Sequence, residues 1–248
     1  MQTLTKNLPK CQQCPVRASA LFGHLNTEML DVVRALRTHQ LVLEVGEHLY
    51  HQGDSPSKAY TVYEGWVVLY KNTHDGERQI IRFALAGEFL GYKLGNNTVY
   101  DHSAQALSDV KLCSFPISEI INEAGKHTAL LLAIQSMNDT TMERCHSSIT
   151  SIANKTAEQK VAYLFLTLYA REQEVRATED NCIPFYLTQE DIGDALGLTS
   201  IHVNRVVQGL RRKGLLSCKN RCLSLHKIEE LIEVAKMDRF EAQQFNLI

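Results

Sequence analysis

The sequence lacks any run approaching the roughly 18 consecutive apolar residues needed to cross a bilayer. Its first residues, MQTLTKNLPKCQQCP, also lack the apolar centre of a secretory signal. These absences argue against a membrane partner and place the chain in the cytoplasm. Phosphate-cradling glycine loops and nucleophile elbows are missing too, so no enzyme is expected; "HSA" and "CHSS" are too short to count as catalytic signatures. The seven cysteines are odd in number and come without secretory context, which argues for reduced thiols, a few of them binding metal, over a disulfide framework. The sharpest absence is local. From Thr199 to Cys222 there is no Asp or Glu, although the chain carries 28 acidic and 26 basic residues. The same stretch holds Arg205, Arg211, Arg212, Lys213, Lys219 and Arg221.

A length of 248 residues suits one large domain or two modest ones. Between about 40 and 116 the chain reads as short β-branched and aromatic runs, with Gly46, Gly53, Gly65, Gly76, Gly87 and Gly91 between them or at their ends. Asp75-Gly76 is a hairpin signal. Many short strands at this spacing, with no βαβ rhythm, predict an antiparallel sandwich or barrel.

Near residue 118 the period changes. No Gly or Pro interrupts 127–153, and Leu130, Ile134, Met137, Thr141, Cys145, Ser148 and Ile152 recur at steps of three and four. A helix of that length spans roughly 40 Å, more than one small β-domain covers, so this stripe is expected to be a homodimer seam. The alternative is a single helix lying across its own domain. A second helix starts after Thr156, with Gln159 completing a capping box, and the polar segment "QEVRATEDNC" reads as a loop.

The acid-free stretch belongs to a helix-turn-helix pattern. Thr188 opens a short helix, "TQEDIGDALG", with Asp191 three residues on and Gly197 at its end. Thr199 caps the next helix, in which Val203, Val206, Val207 and Leu210 make the buried face. The opposite face holds Ile201, Asn204, Arg205, Gln208 and Arg212. Gly214 stops that helix, and "LLSCKNRCLSLH" reads as a hairpin turning at Lys219-Asn220-Arg221, the order of a winged helix. Clearing carboxylates from such a face serves phosphate binding, because each neutralised phosphate releases counterions and a nearby acid opposes that. Arg205 suits guanine, Asn204 adenine and Ile201 a thymine methyl, with Ser200 also near the bases.

The order of β-roll, long helix and winged helix resembles the Crp/Fnr family of bacterial transcription regulators over about residues 11 to 230. "LTQEDIGDALGLTSIHVNR" is similar to that family's helix-turn-helix, "LAGEFLGY" to its glycine-anchored strand, and "SAQAL" followed by "VKLC" to the oxygen-sensing Fnr branch. The resemblance implies an α+β fold: an N-terminal antiparallel β-roll (a cyclic-nucleotide-binding-like jelly roll), a long dimerisation helix and a C-terminal winged helix-turn-helix. The expected divisions are a cysteine-bearing segment at 1–28, a sensor roll at 29–118, the dimerisation region at 119–155, a DNA-binding domain at 156–228, and a helix or tail at 229–248. It also implies a dimer reading palindromic double-stranded DNA with half-sites one helical turn, about 34 Å, apart. RNA polymerase is the further partner implied, with the role of an activator, although the residues alone do not separate activation from repression. DNA contacts are expected from Thr188, Gln189, Thr199, Ser200, Ile201, His202, Asn204, Arg205, Gln208 and Arg212. Relatives commonly place glutamate where this chain has Ile201, so its operator should differ at that base pair.

For the signal, cyclic-nucleotide-binding relatives place Gly-Glu and Arg-Ser or Arg-Thr pairs where this chain reads Gly91-Tyr92 and His102-Ser103. Without the arginine the strongest charge-assisted contact is gone, which disfavours cAMP. Cys11 and Cys14 have a spacing suited to an iron–sulfur cluster, and Cys113 matches an Fnr-type ligand position. Ala18, Ala20 and Phe22 stand where the remaining N-terminal thiolate is expected, so a cluster needs another ligand. The other reading is a buried apolar thiol and a loop pair. Cys182, Cys218 and Cys222 fit no common zinc spacing, and no spacing singles out a haem ligand among His24, His48, His51, His74 and His102. The competing class of function is a ligand-binding module that controls a partner protein through the roll, in which Asn204 and Arg205 would be dispensable.

Overall fold

The structure, a computed structural model, describes residues 2–4, 11–18, 20, 23, 25–93, 98–175 and 182–248. His24, Phe22 and residues 176–181 of the polar segment lie outside these. The chain forms two compact units, Met1–Glu143 and Arg144–Ile248.

In the first unit, strand β1 (Gln2–Leu4) and a 3-10 turn (Cys11–Gln13) precede helix α1 (Thr27–Leu36). Asn26 caps α1 by accepting from Met29 N–H at 2.9 Å. The roll follows: β2 (His39–Leu43), β3 (His48–Tyr50), β4 (Lys58–Glu64), β5 (Val67–Asn72), β6 (Arg78–Ala84), β7 (Phe89–Leu90), β8 (Ser103–Ala106) and β9 (Val110–Pro116). One antiparallel sheet runs β1-β2-β9-β4-β7 and the other β3-β8-β5-β6. The β5–β6 hairpin turns at Asp75-Gly76, where Gly76 has φ +82.

Strand alternation sorts β9 between two cores. Val110 and Leu112 enter the roll interior with Leu41, Val62 and Leu69. Phe115 and Cys113 join a second cluster with Leu30 and Val33 of α1. This cluster also takes Ile117 and Ile120 from helix α2 (Ile117–Lys126) and Leu130 and Ile134 from helix α3 (Thr128–Asn154).

That packing corrects the expected seam. Leu130 and Ile134 are buried against their own roll, with Met137 packed beside them, and are not free for a partner. The exposed apolar residues of α3 include Leu131, Met142, Ile149 and Ile152. With Gln135, Asn138 and Cys145 they recur at alternating steps of four and three. This exposed stripe is offset from the expected one by one residue, about 100° of helix rotation, over the first half of α3; Cys145 and Ile152 belong to both stripes.

In the second unit, helix α4 (Ala157–Val175) begins with the expected box: Thr156 N–H donates to Gln159 Oε1 at 2.9 Å. Then come strand β10 (Cys182–Pro184), helices α5 (Gln189–Leu196) and α6 (Ser200–Arg212), strands β11 (Leu216–Lys219) and β12 (Cys222–Leu225), and helices α7 (Ile228–Ala235) and α8 (Arg239–Gln244). The wing is a three-stranded antiparallel sheet, β10-β12-β11; of the segment expected as a loop, residues 173–175 instead end α4 and Cys182 opens β10. Its inner face, Ile183, Leu216, Leu223 and Leu225, is buried, as are Val161, Phe165 and Leu166 of α4.

Candidate nucleic-acid interface

Helix α6 is set by its two ends and one buried stripe. Thr199 accepts from His202 N–H at 3.3 Å, and Gly214 follows the helix in the left-handed region at φ +68. Val203 and Leu210 are fully buried while Val206 and Val207 are half-buried, so the expected inner face is present with a wetter middle. Each fully buried aliphatic side chain holds the helix down by about 1.5–3 kcal/mol.

Upstream, Thr188 and Asp191 exchange a complete capping box, with Thr188 Oγ1 donating to Asp191 Oδ2 at 2.7 Å. The hydroxyl of Thr188 is therefore engaged in the cap. Between α5 and α6 the chain turns so tightly that a Cβ on Gly193 would lie 2.4 Å from the Leu198 carbonyl oxygen. Sequence reasoning passed over Gly193, although a glycine inside a helical pattern is itself a sign of close approach.

The outer face of α6 presents Ser200, Ile201, His202, Asn204, Arg205, Gln208 and Arg212, all exposed, and Ile201 shows 73% of its surface. Thr199 and Gln189 are exposed as well. There is no acid in the first turn, so the helix N-terminus keeps its partial positive charge unopposed by any carboxylate of its own. The wing turn adds exposed Lys219 and Arg221, with Asn220 and Arg221 at φ 51 and 57. Of the six basic residues two are diverted. Lys213 Nζ donates to Glu158 Oε1 at 2.7 Å, and Arg211 is half-buried near Cys218.

In the first unit, the residues matched by resemblance to a cyclic-nucleotide site are tied to their own chain. Tyr100 O–H lies 3.1 Å from both the Gly91 and Lys58 carbonyls. Tyr100 stacks on Tyr50 at 3.8 Å, and the Tyr50 hydroxyl is 2.9 Å from His102 Nε2. Ser103 Oγ accepts from Gln52 N–H at 2.9 Å. Burial lowers the affinity of His102 for a proton, against the pull of Asp101.

Cys11, Cys14 and Cys113 border one cavity with Arg17, Arg37, Thr61 and Tyr63. The 3-10 turn supplies the first two. The outer face of β9 supplies Cys113, in register with Thr61 on β4. Burial pushes the Cys113 thiol up to about 11 despite Arg37, and raises Cys14 too. Thr61 Oγ1 is buried without a hydrogen-bond partner. The expected thiols are thus brought together, but no fourth cysteine borders them. Among the described residues no three His, Cys, Asp or Glu converge to hold a metal ion. This donor set does not fit a four-thiolate cluster.

The other candidates separate. His48 stacks on His51 at 4.2 Å and meets the Tyr70 hydroxyl, while His74 stands in solvent beside Asp75. Against the expectation of reduced thiols, Cys182 and Cys222 are joined by a disulfide, their Cα atoms 5.7 Å apart, because β10 brings them across the wing sheet. Cys218 lies apart from that bond as a free thiol. No described helix is long and apolar enough to cross a membrane.

The comparisons with known proteins agree with this geometry. A cyclic nucleotide-binding domain profile matches residues 40–127, and a Crp-like helix-turn-helix domain profile matches 159–234. The nitrogen fixation regulation protein FixK of Bradyrhizobium diazoefficiens is 30% identical over 220 residues, covering 87% of this chain and 89% of that protein. The fumarate and nitrate reduction regulatory protein of Escherichia coli is 24% identical over 225 residues, covering 91% and 90%. The solved structure of FixK2 from Bradyrhizobium japonicum superposes with a TM-score of 0.71 at 24% identity, covering 79% of this chain and 96% of that one, and supports the fold. These homologues are regulators, not enzymes. The chain belongs to the Crp/Fnr family of DNA-binding transcription regulators.

Proposed function

We propose that the protein works as a homodimer joined through α3, each α6 entering the major groove over one half of a two-fold symmetric operator. The observation that carries this is the exposed, carboxylate-free outer face of a capped helix whose inner face is locked by Val203 and Leu210. Arg205, Asn204 and Ile201 read base edges, with Ser200 and His202 beside them. Thr188, Gln189, Thr199, Gln208 and Arg212, together with Lys219 and Arg221 of the wing, position the backbone. The seam is Leu131, Met142, Ile149 and Ile152 with Asn138 and Cys145 between them, a heptad spacing suited to a second copy of the same helix. Kinship with the family supports cytoplasmic action, contact with RNA polymerase and the role of an activator. Signal input is assigned to the roll unit, at the thiol cavity. His102 stands where the resemblance places the phosphate-pairing arginine and is held by the Tyr50 hydroxyl at 2.9 Å, which supports that choice over cAMP.

The test is fluorescence anisotropy on palindromic and random duplexes across salt concentrations. Arg205→Ala should cost about 1–3 kcal/mol per half-site and relax the preference at one base pair. Arg212→Ala should weaken binding to all duplexes alike and flatten the log–log salt slope by about 1 per half-site. Equal affinity for palindromic and random DNA, or binding insensitive to salt, would overturn the reading.

A further inference from the structure

The Cys182–Cys222 bond has no part in the DNA interface as described, yet it lies in the wing, which carries Lys219 and Arg221, two of the three basic residues assigned to phosphates. The two cysteines are 40 residues apart in sequence, and their Cα separation of 5.7 Å falls in the ordinary range for a cystine. The register places Cys182 opposite Ser224 and Cys222 opposite Pro184. They are therefore diagonal neighbours on the outer face of the wing sheet, away from buried Ile183 and Leu223. Both are only half-buried, within reach of small oxidants and reductants.

A protein that acts on DNA works where thiol pools are kept reduced, and cystines in such compartments are usually transient and signalling. The bond also has a mechanical reach. Phe185, just beyond β10, donates its N–H to the Arg221 carbonyl at 2.9 Å. Asn220 and Arg221 hold the left-handed backbone of a two-residue hairpin turn, a conformation common for Asn and uncommon for Arg. The turn is closed by the Lys219–Cys222 pair of β11 and β12, and the chain just after β10 braces it from the side through the Phe185–Arg221 bond, so fixing β10 against β12 stiffens the support of Lys219 and Arg221.

We propose that Cys182 and Cys222 form a thiol–disulfide switch that fixes the wing when oxidised and loosens it when reduced, so that hydroperoxide-class oxidants raise DNA affinity. The coupling rests on the DNA-binding reading above. One thiolate attacks the peroxide O–O bond, giving a sulfenic acid and releasing water; the second thiolate displaces the sulfenic hydroxyl as a second water. Two thiols and one hydrogen peroxide become one disulfide and two waters, with the sulfurs oxidised and the peroxide oxygens reduced. Cys218 is an internal control: it lies on the neighbouring strand in register with Leu223, and burial raises its thiol to about 11.

The full chain, treated with hydrogen peroxide or dithiothreitol, would be examined by peptide mapping without DNA and by anisotropy on the preferred palindrome. The oxidised protein should carry a Cys182–Cys222 cross-link and bind about three- to tenfold tighter than the reduced form, the gain expected from a pre-organised wing. Cys182→Ser and Cys222→Ser should bind like the reduced wild type under both conditions, while Cys218→Ala keeps the full response. A map without the cross-link after peroxide sinks the switch, as does a response that survives in both serine variants or one that is absent although the cross-link forms. A chain that cross-links but binds no duplex in either state sinks the DNA reading, and the coupling with it.

Discussion

Alanine at Gly193 and at Gly209 should move the stability of one domain in opposite directions. At Gly193 the new Cβ would lie 2.4 Å from Leu198 O, well inside the roughly 3.3 Å at which carbon and carbonyl oxygen meet. The obstacle is main chain, held in place by the Leu198 N–H to Gly193 O hydrogen bond of 3.0 Å, and cannot swing aside. Overpacking of this kind costs about 1–3 kcal/mol, here at the upper end, against the helix-propensity gain of about 1 kcal/mol for Ala over Gly. The net expectation is a loss of about 2 kcal/mol. At Gly209, in α6, nothing lies within 4 Å of the added carbon, so the backbone term acts alone and the variant should gain about 0.5–1 kcal/mol. Urea unfolding of the full chain followed by circular dichroism reads both as midpoint shifts at constant slope. Gly193→Ala should also tilt α6 against α5 and cost operator preference more than it costs salt-dependent binding. If the two variants shift the midpoint equally, the close approach at Leu198 does not set the geometry of the turn.

Three further outcomes follow from the first unit and the long helix. Met142→Glu or Ile149→Glu should shift the protein to a monomer in sedimentation, while Thr140→Glu, on the other side of α3, should not; a dimer that tolerates all three would place the seam elsewhere. Burial pushes the Asp101 carboxyl up, but hydrogen bonds from Lys71 and Lys93 and the neighbouring His102 outweigh it and hold the group well below the usual carboxylate range. A depressed folded-state value stabilises above the ordinary range and is lost as pH falls through it. Asp101→Asn should therefore cost up to about 1 kcal/mol at neutral pH, the site being half exposed, and the gap should close in acid; a constant gap would deny the linkage. Protein purified without air should be colourless and free of iron, because only three thiols border the cavity; a brown, iron-bearing preparation would contradict that donor set.

The winged domain was legible because its signals are local. Thr188 with Asp191, Thr199, Gly197 and Gly214 each mark a helix end from a few residues of sequence, and the caps are where they were expected. Strand β10 was hidden because three residues ending in proline carry no period, and its pairing with β12 is 40 residues distant. The disulfide was hidden for the same reason. Helices α1 and α2 were missed beside stronger β signals, although Asn26 was a readable cap. On α3 the spacing identified a helix but not its neighbours. Leu130 and Leu131 are equally apolar, and only the tertiary fold decides that the first faces the roll. The thiol cavity was half legible: the Cys11–Cys14 pair is a sequence pattern, whereas its meeting with Cys113 depends on which face β9 turns outward.

The clearing of acid from 199–222 also governs how the molecule approaches its target. With 28 acidic and 26 basic residues in all, and six of the latter in that stretch, everything outside it carries a surplus of negative charge. A duplex therefore repels most of this protein and attracts one ridge. Diffusional encounters are turned toward the productive pose before any contact forms, and sliding along non-operator DNA keeps that pose. Added salt should blunt this orientation, slowing the search as well as weakening the final grip.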